Sequence, residues 1–207
     1  MADHYFSPTP SAPSQPAPVK LNLPDVQFSL LADRGVFSGA RVDPGTLALL
    51  RETPAPPPEG DLLDLGCGYG PIACTLARRS PGATVWAIDV NSRAVELTAA
   101  NAATLGLANV RAVAPVEVPV SVTFAGIWSN PPIRIGKVAL HELLASWLGR
   151  LAAGAAAWLV VNRHLGGDSL GAWLGSEGWL VERVASKSGY RVLRVGDHEA
   201  ANSGVDG

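Results

Sequence analysis

With 207 residues and a hydrophobic fraction of 47%, the chain can bury one well-formed core, and a single ordered domain is expected. Lysine plus arginine (16) nearly balance aspartate plus glutamate (18), so the net charge of −2 excludes a global field that pulls the chain onto nucleic acid, and any RNA contact must rest on a local patch. Two cysteines, Cys67 and Cys74, exclude a disulfide framework, and neither a bilayer-length apolar run nor a basic-then-apolar leader is present, so a soluble cytoplasmic protein is expected.

Residues 1–20 are dense in proline and serine (Pro8, Pro10, Pro13, Pro16, Pro18) and are expected to form a flexible or extended arm. Val19 to Leu23 and Val26 to Leu31 flank Pro24-Asp25 as a β-hairpin, with Gly35-Val36-Phe37-Ser38 ending its second arm. Asp43-Pro44-Gly45-Thr46 supplies a turn and helix start before Leu47, Leu49 and Leu50, and the proline-rich stretch Thr53 to Gly60 links these residues to the main sheet. From Asp61 strands alternate with helices, as in a parallel sheet with crossover helices. Strand Asp61 to Leu65 feeds a glycine turn. The helix Pro71 to Arg79 follows, with proline at its first position and Ile72 one turn from Leu76.

Strand Ala83 to Ile88 leads to a helix from Ser92 to Leu105, whose Val95, Ala99, Ala102 and Leu105 share one face; Asn91 or Ser92 is placed to cap it. Val110 to Ala114 is a third strand, and Phe124 to Ser129 is a fourth that ends at Asn130-Pro131-Pro132. A helix around Val138 to Leu151 carries Leu144, Leu148 and Leu151 as its stripe, and Ala156 to Val161 is a fifth strand. Asp168 is expected to cap a short helix through Leu174. Val181 to Ser186 and Arg191 to Val195 close the fold as a hairpin, and the polar residues 197–207 form a tail. Trp86, Trp128 and Trp158 are expected in the core. The expected organisation is one domain over residues 21–196, divided into a lead-in (21–58) and a ligand-binding core (59–196).

Three motifs carry the chemistry. In Asp64-Leu65-Gly66-Cys67-Gly68-Tyr69-Gly70, a strand turns sharply into a helix, and residues without Cβ let backbone N–H groups approach a ligand. Asp89, at the end of the next strand, is placed to accept hydrogen bonds from ribose hydroxyls. Gly66, Gly68 and Gly70 followed by Pro71 depart from the Gly-x-Gly-x-x-Gly of nicotinamide folds. At Asn130-Pro131-Pro132, the Asn130 side-chain oxygen and the Pro131 carbonyl can accept the two hydrogens of a planar amine and free its lone pair for attack, and the prolines hold both acceptors in place beforehand.

These residues resemble the class I S-adenosylmethionine-dependent methyltransferases, and within them the "methyltransferase small" family that includes the small-subunit rRNA guanine 2-amino methyltransferases. The resemblance spans roughly Phe28 to Val195, most of the chain, through Gly35-Val36-Phe37-Ser38, Asp43-x-Gly45-Thr46, the glycine turn and Asn130-Pro131-Pro132-Ile133-Arg134-Ile135-Gly136-Lys137. It implies an α/β, Rossmann-like three-layer sandwich: a mostly parallel sheet with a C-terminal antiparallel hairpin, preceded by the N-terminal hairpin.

The implied cofactor is S-adenosylmethionine. Asp64, Gly66, Gly68 and Gly70 would surround its methionine and ribose parts, Asp89 would hold the ribose with Asn91 beside it, and Phe37 with Thr46 would close over the site. Asn130, Pro131 and Pro132 would be catalytic. Ile133, which stands where many amino methyltransferases carry an aromatic residue, would contact substrate with Arg134 and Lys137. Arg163, His164, Lys187 and Arg191 could extend a basic patch. No metal is implied. The implied partner is rRNA or a ribosomal subunit, with no membrane and no DNA; oligomeric state is left open. Transfer to a protein glutamine or a small molecule fits the same two acceptors, and a non-catalytic cofactor-binding module that recruits RNA or a partner stands as the other alternative.

Overall fold

The computed structural model describes residues 13–38, 41–165 and 167–196. The expected arm up to residue 12 and the expected tail 197–207 lie outside the described residues. Chain order runs β1 (Ala17–Asn22), β2 (Gln27–Ala32), α1 (Pro44–Glu52), β3 (Glu59–Leu65), α2 (Pro71–Arg79), β4 (Gly82–Ile88), α3 (Ser92–Thr104) and β5 (Val110–Val113). It continues with β6 (Phe124–Ser129), α4 (Lys137–Leu148), β7 (Leu151–Asn162), α5 (Gly167–Ser176), β8 (Leu180–Lys187) and β9 (Tyr190–Gly196). Strands β3 to β9 form one seven-stranded sheet of order β5-β4-β3-β6-β7-β9-β8, in which β9 alone runs antiparallel to its neighbours β7 and β8. This is the expected α/β architecture.

Helices α1, α2 and α3 and the β1–β2 hairpin cover one face of the sheet, where Leu62, Val85, Trp128 and Val192 point into their core. Helices α4 and α5 cover the other, over Leu63, Ile88, Ile127, Leu159 and Leu193. Successive residues of β3 thus bury against opposite layers, which is why its second half is buried without alternation. The strand order reverses at β3, with β4 and β5 on one side and β6 and β7 on the other, and a crevice opens beyond the carboxyl ends of the strands at such a reversal.

The N-terminal hairpin begins at Ala17, inside the stretch expected as an arm, because Ala17 pairs with Ala32. Its alternating pattern buries Leu21 and Leu30 completely. Asn101 of α3 holds it down: its Oδ1 accepts from Leu31 N at 2.8 Å, and its Nδ2 donates to the carbonyls of Leu31 and Tyr69, each at 2.8 Å. That demand corrects the face expected for α3. The inward residues are Ala94, Thr98, Asn101 and Ala102, not Val95 and Ala99, since two polar side chains must reach the hairpin and the glycine turn.

Other boundaries also differ. Leu151 opens β7 rather than closing α4, whose buried stripe is Leu140, Leu144, Trp147 and Leu148. Asp168 lies within the first turn of α5 and forms an ion pair with Arg191 of β9, where a cap was expected. Trp86 and Trp128 are core residues, whereas Trp158 is only half-buried.

Candidate active site

The crevice holds a cavity of about 470 Å³, within the roughly 300–1,000 Å³ range of small-molecule sites. Of the residues singled out from sequence, Phe37, Gly66, Gly68, Asp89, Asn91, Asn130, Pro131, Pro132, Ile133 and Arg134 line it. Asp64, Gly70, Thr46 and Lys137 do not.

The glycine turn has φ values of +80° at Gly66, +58° at Gly68 and +89° at Gly70, a region that other L residues avoid. A Cβ on Gly66 would meet no atom within 4 Å and would project into open space, whereas one on Gly70 would press on Thr98 at 3.0 Å. The amides are already committed: Gly66 N and Cys67 N donate to Ile88 O at 2.9 and 3.0 Å, Gly68 N donates to Asp89 Oδ2 at 3.0 Å, and Gly70 N donates to Cys67 O at 2.9 Å. The expectation that glycine N–H groups face a ligand is therefore corrected. The turn offers bare backbone surface, because the Gly66, Cys67 and Gly68 donors tie it to the end of β4 and the Gly70 donor closes the turn on itself.

Asp64 is fully buried behind the turn, and its Oδ2 accepts from Ala73 N at 2.9 Å in the first turn of α2. Its Oδ1 has no hydrogen-bond partner, and burial, with the Asp89 charge adding, pushes the carboxyl up to about 8. It supports the helix start rather than facing the cavity. Asp89 does face it. Burial raises its pKa against the opposing bonds from Asn91 N (2.9 Å) and Gly68 N. Its two oxygens offer about four acceptor positions, so capacity remains for a further donor beside the Asn91, Gly68 and Val90 amides. Asn91 caps α3 by accepting from Arg93 N at 3.0 Å, and donates to Gly35 O at 2.9 Å, which ties the Phe37 loop to the site. Pro115 and Val90 supply the apolar wall near Asp89, and Glu117 bonds Ala114 N at 2.7 Å outside it.

At the tip of β6, Asn130 Nδ2 donates to Asp43 Oδ2 at 2.9 Å and to Thr46 Oγ1 at 3.1 Å. A carboxylate only accepts, so the amide nitrogen must face Asp43, and Asn130 Oδ1 is left as an acceptor. Asp43 is itself the N-cap of α1, accepting from Thr46 N at 3.1 Å, and Tyr190 Oη donates to its other oxygen at 3.4 Å. Thr46, expected as a cover, is buried behind Asn130 and orients it instead. Gly45 is needed here, since a Cβ there would lie 2.6 Å from the Tyr190 ring.

Pro132, at φ −76° and ψ 74°, is the centre of an inverse γ-turn in which Pro131 O accepts from Ile133 N at 2.9 Å. The Pro131 carbonyl retains its second lone pair. His141 stacks on Trp173 at a centroid distance of 3.6 Å, away from the cavity lining.

The sequence reading missed Asp43 as a side-chain clamp, and missed Tyr190, Asn162, Leu143 and Leu165 as lining residues. The Asp-Pro helix start at Asp43 was the one local signal. Nothing local marks Tyr190, which β9 delivers from the far end of the chain.

Residues 27–194 match the family model described as the methyltransferase small domain. The chain is 36% identical over 198 residues to the uncharacterized protein YbxB of Bacillus subtilis, covering 94% of this chain and 98% of that one. It is 35% identical over 126 residues to ribosomal RNA small subunit methyltransferase C of Aeromonas hydrophila, covering 61% of this chain and 36% of that relative. Against the Pseudomonas aeruginosa (strain LESB58) protein of the same name it is 35% identical over 149 residues, covering 70% of this chain and 45% of that one. The chain thus spans less than half the length of these two methyltransferase C relatives. The 16S rRNA N2 G1207 methyltransferase of T. thermophilus, solved with AdoMet and guanosine, superposes with a TM-score of 0.72 at 24% identity, covering 89% of this chain and 51% of that one, and shares the fold.

Proposed function

On the footing that the chain belongs to the methyltransferase small domain family, we propose that it transfers the methyl group of S-adenosylmethionine to the 2-amino group of a guanine in small-subunit rRNA. The observation that carries this reading is the locked Asn130 amide, whose nitrogen is held by Asp43 and Thr46 so that an acceptor oxygen stands ready in the cavity.

The cofactor supplies a methyl group on a sulfonium. Asp89 would accept from its ribose hydroxyls, with Asn91 fixing the Phe37 loop beside the site, Gly66 and Gly68 would leave room for it, and Val90 and Pro115 would offer apolar contact to its base. Asp64 and Gly70 hold the turn in shape from behind. Phe37 covers the mouth; Ile133 and Arg134 contact the acceptor base and its flank, and Lys137, outside the cavity, meets the RNA around it.

Asn130 Oδ1 and Pro131 O accept the two amine hydrogens, which pulls the nitrogen toward a tetrahedral shape and localises its lone pair. Displacement at the methyl group would form the N–C bond and leave the S–C electron pair on sulfur. The surplus amine proton then passes to water, so the reaction needs no histidine base.

Incubation with labelled cofactor and small ribosomal subunits tests the reading. Label in rRNA that disappears with Asn130→Ala is the expected result. RNA labelling no higher than that of Asn130→Ala rejects it, and label in protein or metabolite fractions assigns a different acceptor.

A further inference from the structure

A second cavity, of about 330 Å³, lies between the β8–β9 turn and the end of β7. Four of its lining residues are cationic (Arg163, Arg183, Lys187 and Arg191), and its described lining contains no carboxylate. It also shares Tyr190 with the active-site cavity, so the two cavities adjoin at that residue.

Charge is concentrated here in a chain whose net charge is −2. Arg191 is paired with Asp168, and Lys187 lies 3.6 Å from Glu52. Arg163 and Arg183 have no carboxylate partner among the described residues: Arg163 Nε donates to the His164 imidazole at 2.9 Å, and Glu182, the acidic neighbour of Arg183, sits across the ladder from Arg194. The walls are firm. Arg163 N donates to Gly189 O at 2.9 Å, and Ser188 (φ +51°) with Gly189 (φ +82°) makes the tight two-residue turn that joins paired β8 and β9.

Resting on the functional reading above, we propose that this cavity binds a backbone phosphate of single-stranded RNA next to the target nucleotide. A base extruded into the active-site cavity carries its phosphates past Tyr190, and adjacent guanidinium groups with serine hydroxyls match phosphate oxygens in charge and hydrogen-bond geometry. The site positions RNA without reading its sequence.

The test is the Arg163→Ala/Arg183→Ala variant of the full chain, with affinity for a labelled single-stranded RNA oligonucleotide measured by fluorescence anisotropy across a salt series. Losing the one phosphate contact lowers the salt slope by about 0.7; with affinities equal near 1 M salt, that is a loss of about 5-fold at about 0.1 M. Arg163→Lys/Arg183→Lys restores most of the slope, and S-adenosylmethionine affinity by calorimetry stays at the unsubstituted level in both variants. An unchanged slope and affinity overturn the proposal, as do a parallel loss of cofactor binding, no oligonucleotide binding by the unsubstituted protein, or loss of binding to an acidic protein alone. Because anisotropy needs no methyl transfer, a failed rRNA labelling experiment rejects the functional reading without deciding this one.

Discussion

Asp43→Ser separates the two duties of Asp43. Serine remains a good N-cap for α1 and can accept from Thr46 N, so stability should change by no more than about 1 kcal/mol. It is too short to bridge to Asn130 as well, and the charged-acceptor bond of 2.9 Å is lost. Hydrogen bonds to charged groups contribute about 1.5–3 kcal/mol, and where that whole contribution holds the amide acceptor in its transition-state position, its loss corresponds to about 10- to 150-fold in rate. Single-turnover methyl transfer should fall by that factor, with cofactor affinity by calorimetry unchanged. Thr46→Val removes only the neutral 3.1 Å bond, about 0.5–1.5 kcal/mol, and should cost about 2- to 12-fold. Asn130→Ala sets the floor. A rate for Asp43→Ser within twofold of the unsubstituted enzyme, or one above that of Thr46→Val, would refute the argument that these two residues aim the amide.

Asp64→Asn tests the buried carboxyl. With its folded pKa raised to about 8, the native state keeps a proton that the unfolded chain has released, so the stability of the unsubstituted protein falls as pH rises from the ordinary carboxyl range toward 8. Denaturant melts should show Asp64→Asn gaining on it across that window, and a constant difference between pH 5 and pH 8 would rule the shift out. Gly66→Ala places a methyl group in open space at φ +80° and should cost about 1–2 kcal/mol of stability together with weaker cofactor binding; full cofactor affinity would remove Gly66 from the site. Gly45→Ala drives a Cβ to 2.6 Å from the Tyr190 ring and 2.7 Å from Asp43 Oδ2, so it should lose about 1–3 kcal/mol in a thermal melt and slow transfer through the displaced clamp.

Much of this protein is local in origin. Left-handed backbone at Gly66, Gly68 and Gly70 excludes side chains at those positions, the burial alternation of β1 and β2 marks a hairpin, and parallel strands set their turn motifs at one edge. Hence the glycine turn, Asp89 and Asn130-Pro131-Pro132 could be assigned to one crevice from residue order alone. Packing decided the rest, because hydrogen-bond partners are chosen among groups that the fold brings together from afar. Asp43 reaches Asn130 across 87 positions and Tyr190 across 147. Those contacts determine which atom of the Asn130 amide faces the cavity, and no local pattern encodes that. The same competition sent Asp64 to the α2 amide, the glycine amides to Ile88 and Asp89, and Asn101 inward where periodicity favoured Val95 and Ala99. A buried polar group must find a partner, and only the assembled layers determine which one is within reach.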